Sequence, residues 1–263
     1  MKTIYQALAE IESTNQVAAL ATIVRSHGST PRHGTSKMLV YADGSSIGTV
    51  GGGELEKRVR AAALEAMQDG EARYLTYNMN DPSKGDAGIC GGIVEVFVEA
   101  ILPNPTLLIV GAGHVGKAVA HLAKWLDFRV VIAEDKPEFC TPEHIPGGDE
   151  YLPVAMDEIT KHLQINAQTF IVMATRGADV DAIALPDLLE SDAAYIGVIG
   201  SKRRWLEASK LTIERGVDEE QLKRVHSPIG LEIEAETPEE IAISIMAEVL
   251  MIRHGGTGEQ MTI

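Results

Sequence analysis

Cysteine is nearly absent from this chain. Two thiols in 263 residues, Cys90 and Cys140, cannot build the bridge framework of a small secreted domain, and they fall in different predicted domains. Both read as free thiols of a reducing cytosol, so any special role must come from thiol chemistry. Long apolar runs are missing too: nothing approaches the roughly 20 residues a membrane-spanning helix needs. The opening MKTIYQALAEIEST lacks the apolar core and small-residue cleavage site of a secretory leader, so a cytoplasmic protein without membrane attachment is expected. Basic residues are in deficit, 23 against 38 acidic ones for a net charge of −15. That balance excludes a broad phosphate-neutralising surface for nucleic acid. Repeats and low-complexity tracts are also lacking.

What is present suits two globular cores, since domains take roughly 100–200 residues each. The sequence predicts an α/β protein: an N-terminal α+β domain over residues 1–103, a Rossmann-like parallel-sheet domain over 106–255, and a flexible tail at 256–263. In the first part, Ile4, Leu8 and Ile11 have helical spacing. A β-rich run at 17–26 follows, then a hairpin about Asp43-Gly44, a helix opened by GGGELEK, and two strands in ARYLTYNM and GIVEVFVEAIL. PNP at 103–105 marks the boundary. Beyond it, strands expected at 106–110, 128–133, 169–174 and 194–199 alternate with helices at 113–126, 181–190 and 202–215, the pattern of βαβ units. A weaker strand-helix pair falls at 150–164. The last helix, from Pro238 to about Arg253, has Thr237 as its N-cap.

LLIVGAGHVGKAVA, residues 107–120, carries Gly111-x-Gly113-x-x-Gly116 between a predicted strand and helix. In a dinucleotide-binding unit the first glycine permits the turn, the second admits a pyrophosphate, and the third lets helix and strand pack closely. The next strand ends in Glu134-Asp135, the right distance on for an acid that takes ribose hydroxyls. A hydride-transfer enzyme also needs an acid or base aimed at its substrate. Almost nothing follows the Rossmann-like unit, and His226, in RVHSPIGLEI, is the one late histidine in a distinctive loop. It is a candidate for proton transfer, with a purely structural role as the alternative.

The first domain has its own glycine-bearing segments: RSHGSTPRHGTSKM (25–38), GTVGGGELE (48–56) and GICGG (88–92). Glycines bring backbone N–H groups close to anionic oxygens, and a helix starting after Gly53 adds its positive end. Arg25, His27, Arg32, His33 and Lys37 form one basic cluster, and Lys202, Arg203 and Arg204 another. Cys90 sits between small residues, where a nearby cation or helix terminus would favour its thiolate. Each segment taken alone also reads as ordinary structure, a strand-to-helix turn, a surface loop and a small buried residue. Their co-occurrence ahead of a Rossmann-like unit points to a bound ligand.

Taken in order, GSTPRHGTSKM, GTVGGGELE, CGGIVEVFVE, GAGHVGKAVAHLAKWLDFRVVIAEDKPEF, YIGVIGSKRR and HSPIGLEIEAETPEEIAISIMAE resemble the XdhC/CoxI family over nearly the whole chain. The resemblance implies an accessory protein that binds the molybdenum cofactor (molybdopterin), assists its sulfuration with a cysteine desulfurase, and delivers it to an apo-xanthine dehydrogenase or related molybdenum hydroxylase. It implies a chaperone rather than a turnover enzyme, with a homodimer expected and no dedicated metal site. On that basis Gly28, Ser29, Arg32 and the turn Gly51, Gly52, Gly53 with Glu54 are expected to bind pterin or phosphate, with Cys90 near molybdenum or the transferred sulfur. Gly111, Gly113, Gly116 and Glu134 would contact a nucleotide or phosphate, with Ser201, Lys202 and Arg203 as charge partners. Glu56 is expected to face solvent or cap its helix. Three positions depart from the family pattern: Ala178 where histidine is frequent, Glu134-Asp135-Lys136 for Asp-Asp-Arg, and Glu234 where glycine is frequent. The competing readings are an NAD(P)-dependent oxidoreductase using Glu134 with His226 or Cys90, and a nucleotide-sensing regulatory module.

Overall fold

A computed structural model describes residues 2–14, 16–28, 35–78, 92–102 and 104–261. The chain divides into two compact units, Met1–Pro103 and Asn104–Ile263. The first contains α1 (Ile4–Thr14), β1 (Ala18–Gly28), β2 (Lys37–Tyr41), β3 (Ser46–Gly48), α2 (Gly53–Asp69), β4 (Arg73–Asn78) and β5 (Gly92–Ile101). Its strands form an antiparallel sheet in the order β3-β2-β1-β5-β4. Successive residues of β1 point to opposite faces. Ala19, Ala21 and Ile23 pack under Val59, Ala63 and Ala66 of α2, whereas Ala18 and Leu20 join Ala7 and Ile11 of α1. The alanines leave room for a helix on either face, so β1 is buried from both sides.

The start of α2 explains three glycines in a row. Gly51, Gly52 and Gly53 have φ of +130°, +81° and +63°, values that side-chain-bearing residues rarely adopt. The turn is closed from within: the amides of Gly52 and Val50 donate to the Glu56 carboxylate at 3.0 and 3.3 Å, Thr49 donates its hydroxyl to the same oxygen, and the Gly51 amide donates to Thr49 Oγ1 at 3.1 Å. Burial works against ionisation of Glu56, but these donors and Arg60 hold its carboxyl below the usual value.

The second unit runs β6 (Thr106–Val110), α3 (His114–Trp125), β7 (Arg129–Ala133), β8 (Glu150–Leu152), α4 (Ile159–His162), β9 (Thr169–Met173), α5 (Ala178–Leu189), β10 (Tyr195–Val198), α6 (Lys202–Glu214), β11 (Val225–His226) and α7 (Pro238–His254). The strands are all parallel, in the order β8-β7-β6-β9-β10-β11. This is the doubly wound order, whose direction reverses between β6 and β9. Leu107 and Ile109 of β6 face Val119, Phe170 and Ile245 on the α3–α7 side, whereas Leu108 and Val110 face Val180, Leu185 and Leu188 on the α5 side. All four β6 residues have no exposed surface, each worth about 1.5–3 kcal/mol of burial. Thr237 and Glu240 close a reciprocal capping box at the start of α7, with Pro238 in its first turn. Both tryptophans belong to this unit: Trp205 packs against the α5-side core, and Trp125, at the end of α3, is 78% exposed.

Two local expectations change. Helix α5 begins at Ala178 rather than 181, because Gly177 is extended at its N-cap and Asp179 and Asp181 both fall in the first turn. The segment holding His226 is not simply a loop: a 3-10 turn at Gln221–Arg224 leads into the two-residue β11, which pairs with β10. Among the described residues no helix is long and apolar enough to cross a membrane.

Candidate functional site

A cleft of about 400 Å³ lies beyond the carboxyl ends of β6, β7 and β9, where the strand order reverses and open α/β sheets receive ligands. Its floor is the turn from Gly111 to His114. The Gly111 amide donates to the Ala133 carbonyl at 2.9 Å, and Gly111 has φ +109°. A Cβ there would lie 2.5 Å from the Ala174 carbonyl oxygen, and one on Gly116 would lie 2.3 Å from that of Gly111. Both glycines are therefore demanded by the chain's own atoms. Gly113 is not: it is extended, with φ −76°, and a Cβ on it would meet nothing within 4 Å. It occupies the N-cap of α3 without a capping side chain, so the amides of the first helical turn point outward.

Glu134, next after β7, clasps this turn. Its Oε2 accepts the Ala112 amide at 2.9 Å, and its Oε1 accepts the Lys136 amide at 3.3 Å. Only 7% of Glu134 is exposed, and burial, helped by neighbouring Asp135, pushes its carboxyl above the usual value. Asp135 goes the opposite way, to about 2, because Arg176 donates to both its oxygens, each bond 2.7 Å long. His144 faces the Ala112 carbonyl at 3.1 Å through Nε2; a carbonyl can only accept, so that nitrogen carries the proton. Phe139 stacks obliquely on His144, 4.9 Å between ring centres, with the Lys136 ammonium 5.7 Å from its face. The cleft thus combines open amides, the cations Lys117, Lys136 and Arg176, one buried carboxylate and an aromatic wall. It is suited to a phosphate joined to a ring and hydroxyl groups.

The wall at the end of β9 is fixed by Asp181, which has no exposed surface. Arg204 donates to Asp181 Oδ2 from Nε at 3.1 Å and from Nη2 at 2.8 Å. The same Nη2 reaches the Thr175 carbonyl and hydroxyl at 3.1 and 2.8 Å, and the Thr175 hydroxyl donates to Asp181 Oδ1 at 2.5 Å. Burial nevertheless raises the Asp181 carboxyl above its usual value, outweighing Thr175 and Arg204.

The sequence-predicted residues distribute unevenly. Gly111, Gly113 and Glu134 line the cleft, with Gly116 packed beneath the turn. Ser201, Lys202 and Arg203 do not line it: Ser201 caps α6 by accepting the Arg204 amide at 3.3 Å, and Lys202 and Arg203 are exposed. Arg204, the next residue in the same basic run, braces the cleft wall instead. His226 faces Glu248 on α7, with Nδ1 2.9 Å from Oε1. The other oxygen of Glu248 accepts the Tyr195 hydroxyl and the Gly230 amide, both at 2.6 Å. In the first unit, the Gly51 and Gly52 amides that an anion would need are taken by Thr49 and Glu56. Glu54 lies 3.6 and 3.7 Å from Lys57 and Arg58 on its own helix. Gly28 ends β1 opposite Gly92, with φ +77°. Ser29, Arg32 and Cys90 lie outside the described residues. Cys140 is a buried free thiol, raised above its usual range by burial. Among the described residues no group of three or more His, Cys, Asp or Glu is arranged to hold a metal.

Sequence reasoning missed Lys117, Lys136, His144 and Arg176, and it named Arg204 only as a member of a basic cluster, not as the brace of Asp181. Helical spacing puts Lys117 one turn beyond Gly113 and was a usable signal. Arg176 and His144 enter only through contacts 41 and 32 residues away.

The doubly wound sheet, its glycine turn and the acid after the second strand define a Rossmann-type α/β unit. The chain belongs to the XdhC/CoxI family: residues 107–249 match the XdhC Rossmann domain, and residues 12–78 match the XdhC and CoxI family. It is 37% identical over 98% of its length to the uncharacterized protein YqeB of Escherichia coli, and 30% identical over 60% to a probable xanthine dehydrogenase subunit of Bacillus subtilis. The chain spans about half the length of these two relatives, 48% and 46%. The molybdenum cofactor insertion chaperone PaoD of Escherichia coli is 22% identical across 96% of this chain and 88% of its own length. A crystal structure described as a xanthine dehydrogenase from Bacillus halodurans shares the fold, with a TM-score of 0.52 at 23% identity and 96% of each chain covered.

Proposed function

We propose that this protein is a cytoplasmic carrier of the molybdenum cofactor, which it binds and hands to a xanthine dehydrogenase-type hydroxylase after assisting sulfuration by a cysteine desulfurase. The observation that carries the reading is Gly113: its two partner glycines are required by internal packing, whereas its open side and the amides beside it suit an incoming phosphate. Lys117 supplies charge, and Glu134 supplies an acceptor for ring or ribose hydrogens. The kinship with PaoD, whose name states insertion of this cofactor, supports the cargo. The cargo also fits the cleft's donor set, a phosphate at one end and a flat amino-bearing ring at the other. Cys90 is the proposed sulfur-handling thiol, with a homodimer as the working assembly.

The test is direct. Protein purified from a cofactor-producing host and then oxidised should release a fluorescent pterin, and the apo-protein should take up intact cofactor. Cys90→Ser should lower sulfuration of the delivered cofactor without altering the circular dichroism spectrum; unchanged transfer to an apo-hydroxylase removes Cys90 from the reading. A second reading, a nucleotide-sensing module or an NAD(P)-dependent oxidoreductase, is favoured by the buried acid after β7. Saturable NAD(H) binding with turnover, and no pterin uptake, would select it over the carrier.

A further inference from the structure

Helix α6 carries an outer ridge that nothing in the chain covers. Its inner side is spoken for, with Ala208 and Thr212 buried and Trp205 packed on the α5-side core. On the outer side Leu206 and Ile213 are 69% and 43% exposed. They stand seven residues apart, two turns along one stripe and roughly 10 Å from each other. Between them on the same side lie Ser209, whose hydroxyl turns back to the Leu206 carbonyl at 3.2 Å, and Lys210, 3.9 Å from Glu214. The two ends of the ridge differ in charge. Lys202 and Arg203 open the helix, exposed and without a carboxylate partner among the described residues, in a chain whose net charge is −15. Asp218 and Glu219 follow the far end, exposed and without a cationic partner among the described residues, whereas the next acid, Glu220, is already bonded to Lys223.

Cations, an apolar residue, a small residue, an apolar residue and then acids make a ridge that is complementary to its own reverse. We propose that α6 is the contact between two copies of this chain, its ridge laid antiparallel on the same ridge of the second copy. Leu206 then meets the copy's Ile213, and Ile213 the copy's Leu206, with Ser209 of each at the crossing, where a small side chain lets the backbones approach. The same register sets Lys202 and Arg203 against the copy's Asp218 and Glu219, twice over by the two-fold symmetry. It also opposes the positive end of each helix to the negative end of the other. A parallel pairing would set cations against cations, so the charges fix the direction. The inference names the surface of the homodimer in the carrier reading and rests on that reading there; cofactor binding does not enter it. One ridge on one helix buries less than the roughly 1,200 Å² at which standard interfaces begin. The dimer is therefore a weak one, with a dissociation constant between about 1 μM and 1 mM.

Sedimentation velocity of the whole chain across that concentration range should show a reversible monomer–dimer equilibrium. Leu206→Glu alters an exposed position and should weaken the dimer at least about tenfold, with unchanged circular dichroism verifying the fold. Two charge reversals test the register. Lys202→Glu with Arg203→Glu makes the near end acidic, and carboxylates suit a helix start. Asp218→Asn with Glu219→Lys reverses the far end, the asparagine keeping the acceptor that the Glu220 amide uses at 3.0 Å. Each reversed protein should stay monomeric alone, and an equimolar mixture of the two should regain the dimer. A chain that is monomeric at every concentration overturns the proposal. So does a dimer unmoved by Leu206→Glu, or a pair of reversed proteins that fails to associate on mixing. Pterin released by oxidation is read from the same samples: its absence defeats the carrier reading and leaves the α6 result standing.

Discussion

Replacing Gly113 by aspartate should improve the fold while emptying the cleft. The extended N-cap geometry of Gly113, φ −76° and ψ −171°, is one any residue can adopt, and 4 Å of clear space surrounds its Cβ position. Aspartate is a better N-cap than glycine, so a gain of a few tenths to about 1 kcal/mol is expected. A phosphate bound at the same amides would then face a carboxylate at roughly 4 Å, a repulsion of about 4 kcal/mol at an effective dielectric constant near 20. At 1.4 kcal/mol per decade, a loss of at least about a hundredfold in affinity is expected. Gly116→Ala is the contrasting variant: its Cβ would lie 2.3 Å from the Gly111 carbonyl, an overpacking that costs about 1–3 kcal/mol or more. Scanning calorimetry reads the stabilities, and pterin fluorescence after oxidation reads retained cofactor. A Gly113→Asp protein that keeps its full cofactor content, or that is destabilised by more than about 2 kcal/mol, beyond any N-cap effect, refutes the assignment.

Arg204→Ala should cost about 3–5 kcal/mol, because it strands the fully buried Asp181 carboxylate, whereas Asp181→Leu with Arg204→Met together should cost far less; urea unfolding distinguishes them, and equal losses would contradict the wall's construction. Glu248→Ala should lose about 2–5 kcal/mol by leaving the buried Tyr195 hydroxyl and the Gly230 amide without their acceptor, measured in the same way. Glu234 has φ +54°, so Glu234→Gly should stabilise by roughly 1 kcal/mol, seen as a higher melting temperature. The depressed Asp135 carboxyl contributes stability that is complete above its ordinary value of 3.8 and is lost as pH falls towards about 2. Arg176→Gln should shift that titration upward in carboxyl NMR, and an unmoved titration would mean the fork is not what depresses it.

The turn was legible because glycine spacing follows the strand-turn-helix geometry: Gly116 packs against the Gly111 carbonyl within that unit, although what Gly111 itself meets is the Ala174 carbonyl at the end of β9. Glu134 was legible for the same reason, its position fixed by the length of one βαβ unit. Arg203 and Arg204 were indistinguishable as neighbours in SKRR. What selects Arg204 is helical phase towards Asp181, a residue on another helix. The GGG turn misled in the opposite direction. Three consecutive left-handed φ values and the inward reach of Glu56 account for it, and neither is visible in a motif that looks like an anion cradle. The 3-10 turn and β11 are too short to produce any periodicity, so His226 read as a loop residue.

The two tryptophans give the molecule a built-in division of signals. Trp205 is tucked against the α5-side core and Trp125 stands in solvent at the end of α3, while the first unit has neither. Emission excited at the red edge of the indole band therefore follows the parallel-sheet unit alone. Its blue component, from Trp205, reports melting of that core, and its red, readily quenched component reports events along α3. An unfolding curve followed by this light and another followed by circular dichroism need coincide only if the antiparallel unit melts in step, so a mismatch between them would give the stability of each half without cutting the chain.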